Sequence, residues 1–199
     1  MSLESWRKRP RRVLDDPAAM RAFAHPVRLA LHELLMRAGA TTAADAAREV
    51  GISQALASYH LRQLAKYGFV EQAEARDERE RPWKATSLTQ EWSDAESTPE
   101  TSAARGLLEQ VIAERALSRL AEWQERRMDE PDEWRKSGGI GSSYLYVTPD
   151  ELAAFDAAFN RLLEPLMARI ADPSERPEGA RPVLLATLLV PLPATGTGD

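Results

Sequence analysis

The chain of 199 residues contains no cysteine. That lack excludes a disulfide framework, a thiolate nucleophile and any zinc, copper or iron–sulfur site built on thiolates. A cytoplasmic location fits it and is the expectation. No apolar run approaches the roughly 18 residues that cross a bilayer, so no membrane partner is expected. The basic N-terminus (Arg7, Lys8, Arg9, Arg11, Arg12) is followed by neither an apolar stretch nor a small-residue cleavage site, so no secretory signal is expected either. The motifs of catalysis are also missing: there is no phosphate-binding glycine loop, no paired-histidine zinc motif and no nucleophile elbow. Gly138-Gly139-Ile140-Gly141 is like a phosphate cradle in composition only, because it precedes a strand-like segment and does not link a strand to a helix. No enzyme, no cofactor and no metal site are therefore expected.

The residues present are those of a globular chain. Hydrophobic residues make up 43%, enough for a real core at this length. Net charge is −5, but it is unevenly spread: residues 1–90 sum to +4 and residues 91–199 to −9. One half suits contact with phosphates and the other does not. No internal repeat is present.

Residues 1–16 read as a basic arm. From Pro17 the pattern turns helical, with Phe23, Leu29, Leu31, Leu34 and Leu35 set among alanines up to Gly39. Pro26 removes a backbone donor and disfavours helix at His25, which predicts helices over 17–24 and 26–38. A short helix follows from Ala43 to Val50, stopping at Gly51. Ser53 is a good N-cap for a helix over 54–67, which stops at Gly68. A short turn containing glycine between two such helices is the helix-turn-helix signature. Phe69–Ala75 and Trp83–Leu88 then read as two strands around the charged tip Arg76 to Pro82. Three helices and a hairpin predict a winged helix over 17–90, mainly α with a small β component.

Residues 91–100 read as a polar linker holding Pro99. A long helix is expected over 101–129, its apolar ridge formed by Leu108, Ile112, Ala116 and Leu120 with Trp123 beside them. Ser137–Ser143 is loop-like, and Tyr144–Val147 reads as a short strand. Thr148-Pro149-Asp150-Glu151 is a strong helix start; the helix it opens carries Leu152, Phe155, Phe159, Leu162, Leu163 and Leu166, with Pro165 a kink. Val183–Val190 is almost wholly apolar and reads as a buried strand. Residues 101–199 thus read as an α-β-α-β region for dimerisation, with a candidate effector site.

The helix over 54–67 carries the functional argument. Ala57, Leu61 and Leu64 form its inward ridge, and Gln54, Ala55, Ser58, Tyr59, Arg62 and Lys66 lie on the other side. Arg, Gln and Ser match the donors and acceptors of base edges in the major groove, while small apolar groups touch the thymine methyl. In the hairpin, Arg79 and Arg81 are candidates for minor-groove or phosphate contacts, and Trp83 reads as a packing anchor. The basic arm could track a minor groove. Trp123, Trp134, Tyr144, Tyr146, Phe155 and Phe159 are the candidate pocket for a small apolar effector, though at their spacing they also suit a core.

Ala24-His25-Pro26-Val27-Arg28-Leu29, then Thr42 to Val50, Gly51-Ile52-Ser53-Gln54, Ser58 to Leu64 and Gly68-Phe69-Val70 together resemble the ArsR-type winged helix-turn-helix regulators, over about residues 14–90. Arg79-Glu80-Arg81-Pro82-Trp83 is similar to the wing of actinobacterial members. The resemblance implies a homodimer that binds a near-palindromic site on double-stranded DNA, usually as a repressor. It implies that Gln54, Ala55, Ser58, Tyr59 and Arg62 face bases or nearby phosphates, with Thr41 and Thr42 near a phosphate at a helix start. Many members sense metals through cysteines and histidine clusters. This chain departs from them, with only His25, His32 and His60. His25 and His32 could meet a metal only with nearby carboxylates, and His25 and His60 read as structural. Two other functions remain open at this stage: a docking module for a small molecule or protein, and an architectural DNA-binding protein without an effector.

Overall fold

In a computed structural model the structure describes residues 12–74, 81–87, 90–91 and 98–193. Each N-terminal helix starts where a side chain satisfies an otherwise orphaned amide. Helix α1 (Pro17–Phe23) is capped by Asp16, whose Oδ1 accepts from the Ala18 amide at 2.8 Å. Helix α2 (Pro26–Ala38) is capped by His25, whose Nδ1 accepts from the Val27 amide at 3.2 Å. In both, proline occupies the first turn, where its missing donor costs nothing. Helix α3 (Ala43–Val50) starts at Thr42 and stops at Gly51, which takes φ 74° and ψ 35°. That left-handed conformation favours glycine and lets the chain turn at once. Ile52 and Ser53 complete the turn, and Ser53 caps helix α4 (Gln54–Lys66).

The wing follows. Strand β2 (Val70–Gln72) pairs antiparallel with β3 (Trp83–Ala85), Gln72 opposite Trp83. Thr41 adds a third edge through two backbone hydrogen bonds to Trp83, of 2.9 and 2.8 Å. The strands are shorter than expected, and the tip at 75–80, with Arg76 and Arg79, lies outside the described residues. Ahead of the helices, the two-residue strand β1 (Arg12–Val13) pairs in parallel with β4 (Gln90–Glu91). The expected basic arm is therefore tied down at its C-terminal end, where Leu14 is fully buried. Arg7, Lys8, Arg9 and Arg11 lie outside the described residues.

One core joins these elements. Phe23 stacks on Phe69 with ring centroids 4.3 Å apart, and Leu31, Leu35, Leu61 and Leu64 close around them. Helix α5 (Pro99–Arg126), capped by Thr98, enters the same core: Ala104 and Leu108 are buried against the winged helix. Farther along, Arg115 ties α5 to α2 through Glu33, with Nε and Nη2 at 2.9 and 2.8 Å from the carboxylate. The chain is thus a mainly helical winged helix-turn-helix with a small sheet.

Beyond the 3-10 turn Arg127–Asp129 come the short helix α6 (Asp132–Ser137) and helix α7 (Pro149–Ala171). Helix α7 opens on a full capping box between Thr148 and Glu151 and runs through Pro165. The glycine-rich segment is packed at its start, where Gly138 lies so close to Trp123 that a Cβ there would come within 2.7 Å of the indole. The two strands expected in this half do not form. Tyr144–Val147 and Val183–Val190 form neither helix nor sheet with any of the described residues, and their large apolar side chains are exposed. Their composition predicts burial, but a strand needs a neighbour, and the described residues supply none at either place.

Candidate nucleic-acid interface

Helix α4 is held from behind and free in front. Ala57, Leu61 and Leu64 are buried, so the helix cannot rotate without opening the core. Positions 54, 58 and 62 follow one another at four-residue spacing and share one ridge. Together with Thr42, Ala43 and Ala44 at the start of α3, and Gln72, Arg81 and Trp83 of the wing, Gln54, Ser58 and Arg62 line an open groove of about 530 Å³. Five residues singled out from the sequence (Thr42, Gln54, Ser58, Arg62 and Arg81) thus meet at one place. Ala55, Tyr59 and Lys66 are exposed on α4, with Lys66 lying 5.4 Å from the ring of Tyr67. Arg79 lies outside the described residues.

Gln72 was missed by sequence reasoning. It stands opposite Trp83 in the hairpin, and the register of a hairpin with a long tip cannot be read from its residues. Trp83, expected as a packing anchor, does pack partly against the core but also forms one wall of the groove.

The charges in and around the groove differ in how they are used. Lys84 pairs with Glu71 across the hairpin at 3.1 Å. Arg62 and Arg81 are exposed and have no carboxylate partner among the described residues. At the start of α3 the Thr42 hydroxyl is engaged: it accepts from the Asp45 amide at 3.2 Å and donates to the Asp45 carboxylate at 2.7 Å. That hydrogen bond, with Arg48 beside it, holds the Asp45 carboxyl below the usual carboxylate range. A phosphate at this helix start would therefore meet backbone amides beside an ionised carboxylate. The Thr41 hydroxyl donates to the Gly39 carbonyl, and its backbone is committed to the wing.

Behind the exposed face lies a cluster of bases. The His60 ring sits 4.7 Å from His25 and 5.1 Å from Tyr59. Burial, the charge of Arg28 and the proximity of the two rings lower the His60 pKa; burial and Arg28 lower that of His25. The Nδ1 of His60 is buried without a hydrogen bond. His32 is elsewhere, packed edge-on against Phe23 at 5.0 Å, so His25 and His32 are not brought together.

The six aromatic residues expected around an effector are not gathered as a set. Trp123 and Trp134 lie under the guanidinium groups of Arg127 and Arg181, at 4.9 and 4.7 Å. Phe155 and Phe159 stack on each other along α7, and Tyr144 and Tyr146 are almost fully exposed.

Comparison with known proteins agrees with the fold at the site. Residues 23–73 match the family model described as a helix-turn-helix domain, about a quarter of the chain. The matched span runs from the end of α1 through α4 to the wing, and it supports a DNA-binding regulator of the helix-turn-helix class. No curated protein matches the chain. Among solved structures, a variant of Lactococcus lactis ZitR aligns at 18% identity over 67% of this chain and 73% of that one, with a TM-score of 0.30. A likeness that distant carries no inference about function. No helix among the described residues is long and apolar enough to cross a membrane.

Proposed function

We propose that the chain is a homodimeric repressor of the ArsR type, acting in the cytoplasm, that reads double-stranded DNA through α4. Gln54, Ser58 and Arg62 face base edges of the major groove, with Ala55 and Tyr59 beside them. Arg81 and the wing tip contact the flanking backbone or minor groove, and the start of α3, with Thr41 and Thr42, approaches a phosphate through its amides. Ser53 sets where α4 begins, and Lys66 adds a phosphate contact at its far end. The observation that carries this reading is the groove itself. Two arginines with no carboxylate partner among the described residues flank a polar ridge on a helix fixed by its buried side. Exposed guanidinium groups beside Gln and Ser suit the mixed phosphate and base-edge recognition that sequence-specific binding needs.

Fluorescence anisotropy tests it, with DNA from upstream of the protein's own gene against scrambled DNA of equal length, at about 50 and 200 mM salt. Tighter binding to the native sequence, weakened by salt with its preference intact, is the expected result. Absence of binding there, and of any enriched sequence in a selection from random DNA, would refute it.

A further inference from the structure

We propose that Tyr144–Val147 and Val183–Val190 are the strands of a sheet completed only by a second copy of this chain. This rests on the dimeric reading above and says where the two copies join. Among the described residues, neither segment makes a backbone hydrogen bond, and neither is folded into a helix or a turn. All ten of their large apolar side chains are at least 47% exposed. A run apolar on both faces is the pattern of a strand covered on both sides, and leaving it bare invites aggregation.

Three observations select a second copy as the partner. The first is area: at roughly 100 Å² each, ten such side chains present on the order of 1,000 Å² per copy, above the ~800 Å² that each partner gives to a stable interface. The second is strand number. One chain offers two strands, which are marginal alone, whereas two copies offer four. The exposed Phe155, Leu162 and Leu166 of α7 supply a helical layer for one face of that sheet. The third is charge. A two-fold interface sets residues near their own counterparts, so any charge near the axis meets its like. Neither segment contains a charged residue, although residues 91–199 as a whole carry −9.

The segment at 183–190 also starts from a fixed point. Arg181 donates to both carboxylate oxygens of Glu130, at 2.7 and 3.0 Å, and its guanidinium lies over Trp134. The chain is thereby held at the junction of α5 and α6, and the apolar run begins two residues beyond that point.

The test measures molar mass by light scattering on the full chain and on Leu185→Lys/Leu189→Lys. These positions are exposed in the single chain, so the winged helix of the variant should fold and keep its helical circular dichroism. The expected result is a dimeric parent and a monomeric variant, with amides of 183–190 protected from hydrogen exchange in the parent and losing protection on dilution. A variant that stays dimeric overturns the inference and leaves the dimeric reading standing. A parent that is monomeric throughout overturns both. Protection of 183–190 that persists in a monomer would show that the sheet closes within one chain, and would also overturn it.

Discussion

Arg62 and Arg81 flank the same groove, yet they belong to different elements and should fail differently. Arg62 sits on the ridge of α4 with Gln54 and Ser58, where a bidentate contact to a base discriminates among sequences. Arg62→Ala should cost about 1–3 kcal/mol on the preferred sequence and much less on scrambled DNA. Arg81→Ala should weaken both alike and reduce the salt slope by about one. Titrations of both variants on both DNAs at several salt concentrations separate the roles, and an equal loss for Arg62→Ala would move it to the phosphate class. Behind that ridge, His25 and His60 make stability depend on pH. Their folded pKa values lie below the ordinary imidazole value of 6.5, so in the window between folded and unfolded values the unfolded chain binds more protons. Their stabilisation is complete above about pH 6.5 and is lost as pH falls through the folded values. Melting curves across that window should fall less steeply for His60→Gln than for the parent; identical slopes would remove His60 from the account. Arg62 was legible in the sequence because a surface arginine on an amphipathic helix declares its face. The nearness of His25 and His60 was not, because it depends on how α4 crosses the start of α2.

At the level of elements, the helices were legible because their ends are local chemistry. Asp16, His25, Thr42 and Ser53 cap where they stand, and prolines 17 and 26 fall in first turns. Helix α5 begins at Pro99, two residues ahead of expectation, because Thr98 and Pro99 form a start signal inside what read as a linker. The strands were harder, since hydrogen bonding between distant residues sets their limits. The Thr41–Trp83 bridge joins residues far apart in sequence, and the hairpin ladder covers only Val70–Gln72 and Trp83–Ala85. The apolar runs at 144–147 and 183–190 declared a need for burial without declaring a partner. Two variants measure how α4 is held. Ser53→Ala removes the cap on the Leu56 amide, at 3.2 Å, and should destabilise by about 1 kcal/mol. Leu61→Ala empties a fully buried site and should cost about 2–5 kcal/mol. Urea unfolding of the full chain reads both. A Leu61→Ala loss no larger than that of Ser53→Ala would mean that the cap, and not the core, positions the helix.

At the scale of the whole molecule, the division of charge was visible from the start, and the structure gives it a physical meaning. The positive half carries the groove, and the negative half leads away from it along α5, whose 28 residues span about 42 Å. Helix α5 packs on the winged helix from Ala104 to Arg115, with Ala104 and Leu108 buried, Val111 and Ile112 half-buried against the core and Arg115 paired with Glu33. A dimer joined rigidly through the apolar segments at 144–147 and 183–190 would hold its two grooves at a fixed distance. Two α4 helices related by a two-fold axis can occupy successive major grooves on one side of a duplex only when the half-sites lie about 34 Å, or 10–10.5 base pairs, apart. Adding five base pairs between half-sites turns the second to roughly the opposite side of the duplex, and binding should drop to the affinity of a single half-site. Adding ten restores the side but lengthens the span by about 34 Å. If the two copies are joined rigidly, that duplex should bind no better than the one with five added, because bending DNA to close the gap costs several kcal/mol. Anisotropy titrations on the three duplexes and on a lone half-site decide the matter. Recovery of full affinity with ten added base pairs would mean that the C-terminal half is a flexible tether, and that the spacing of the operator is not built into the protein.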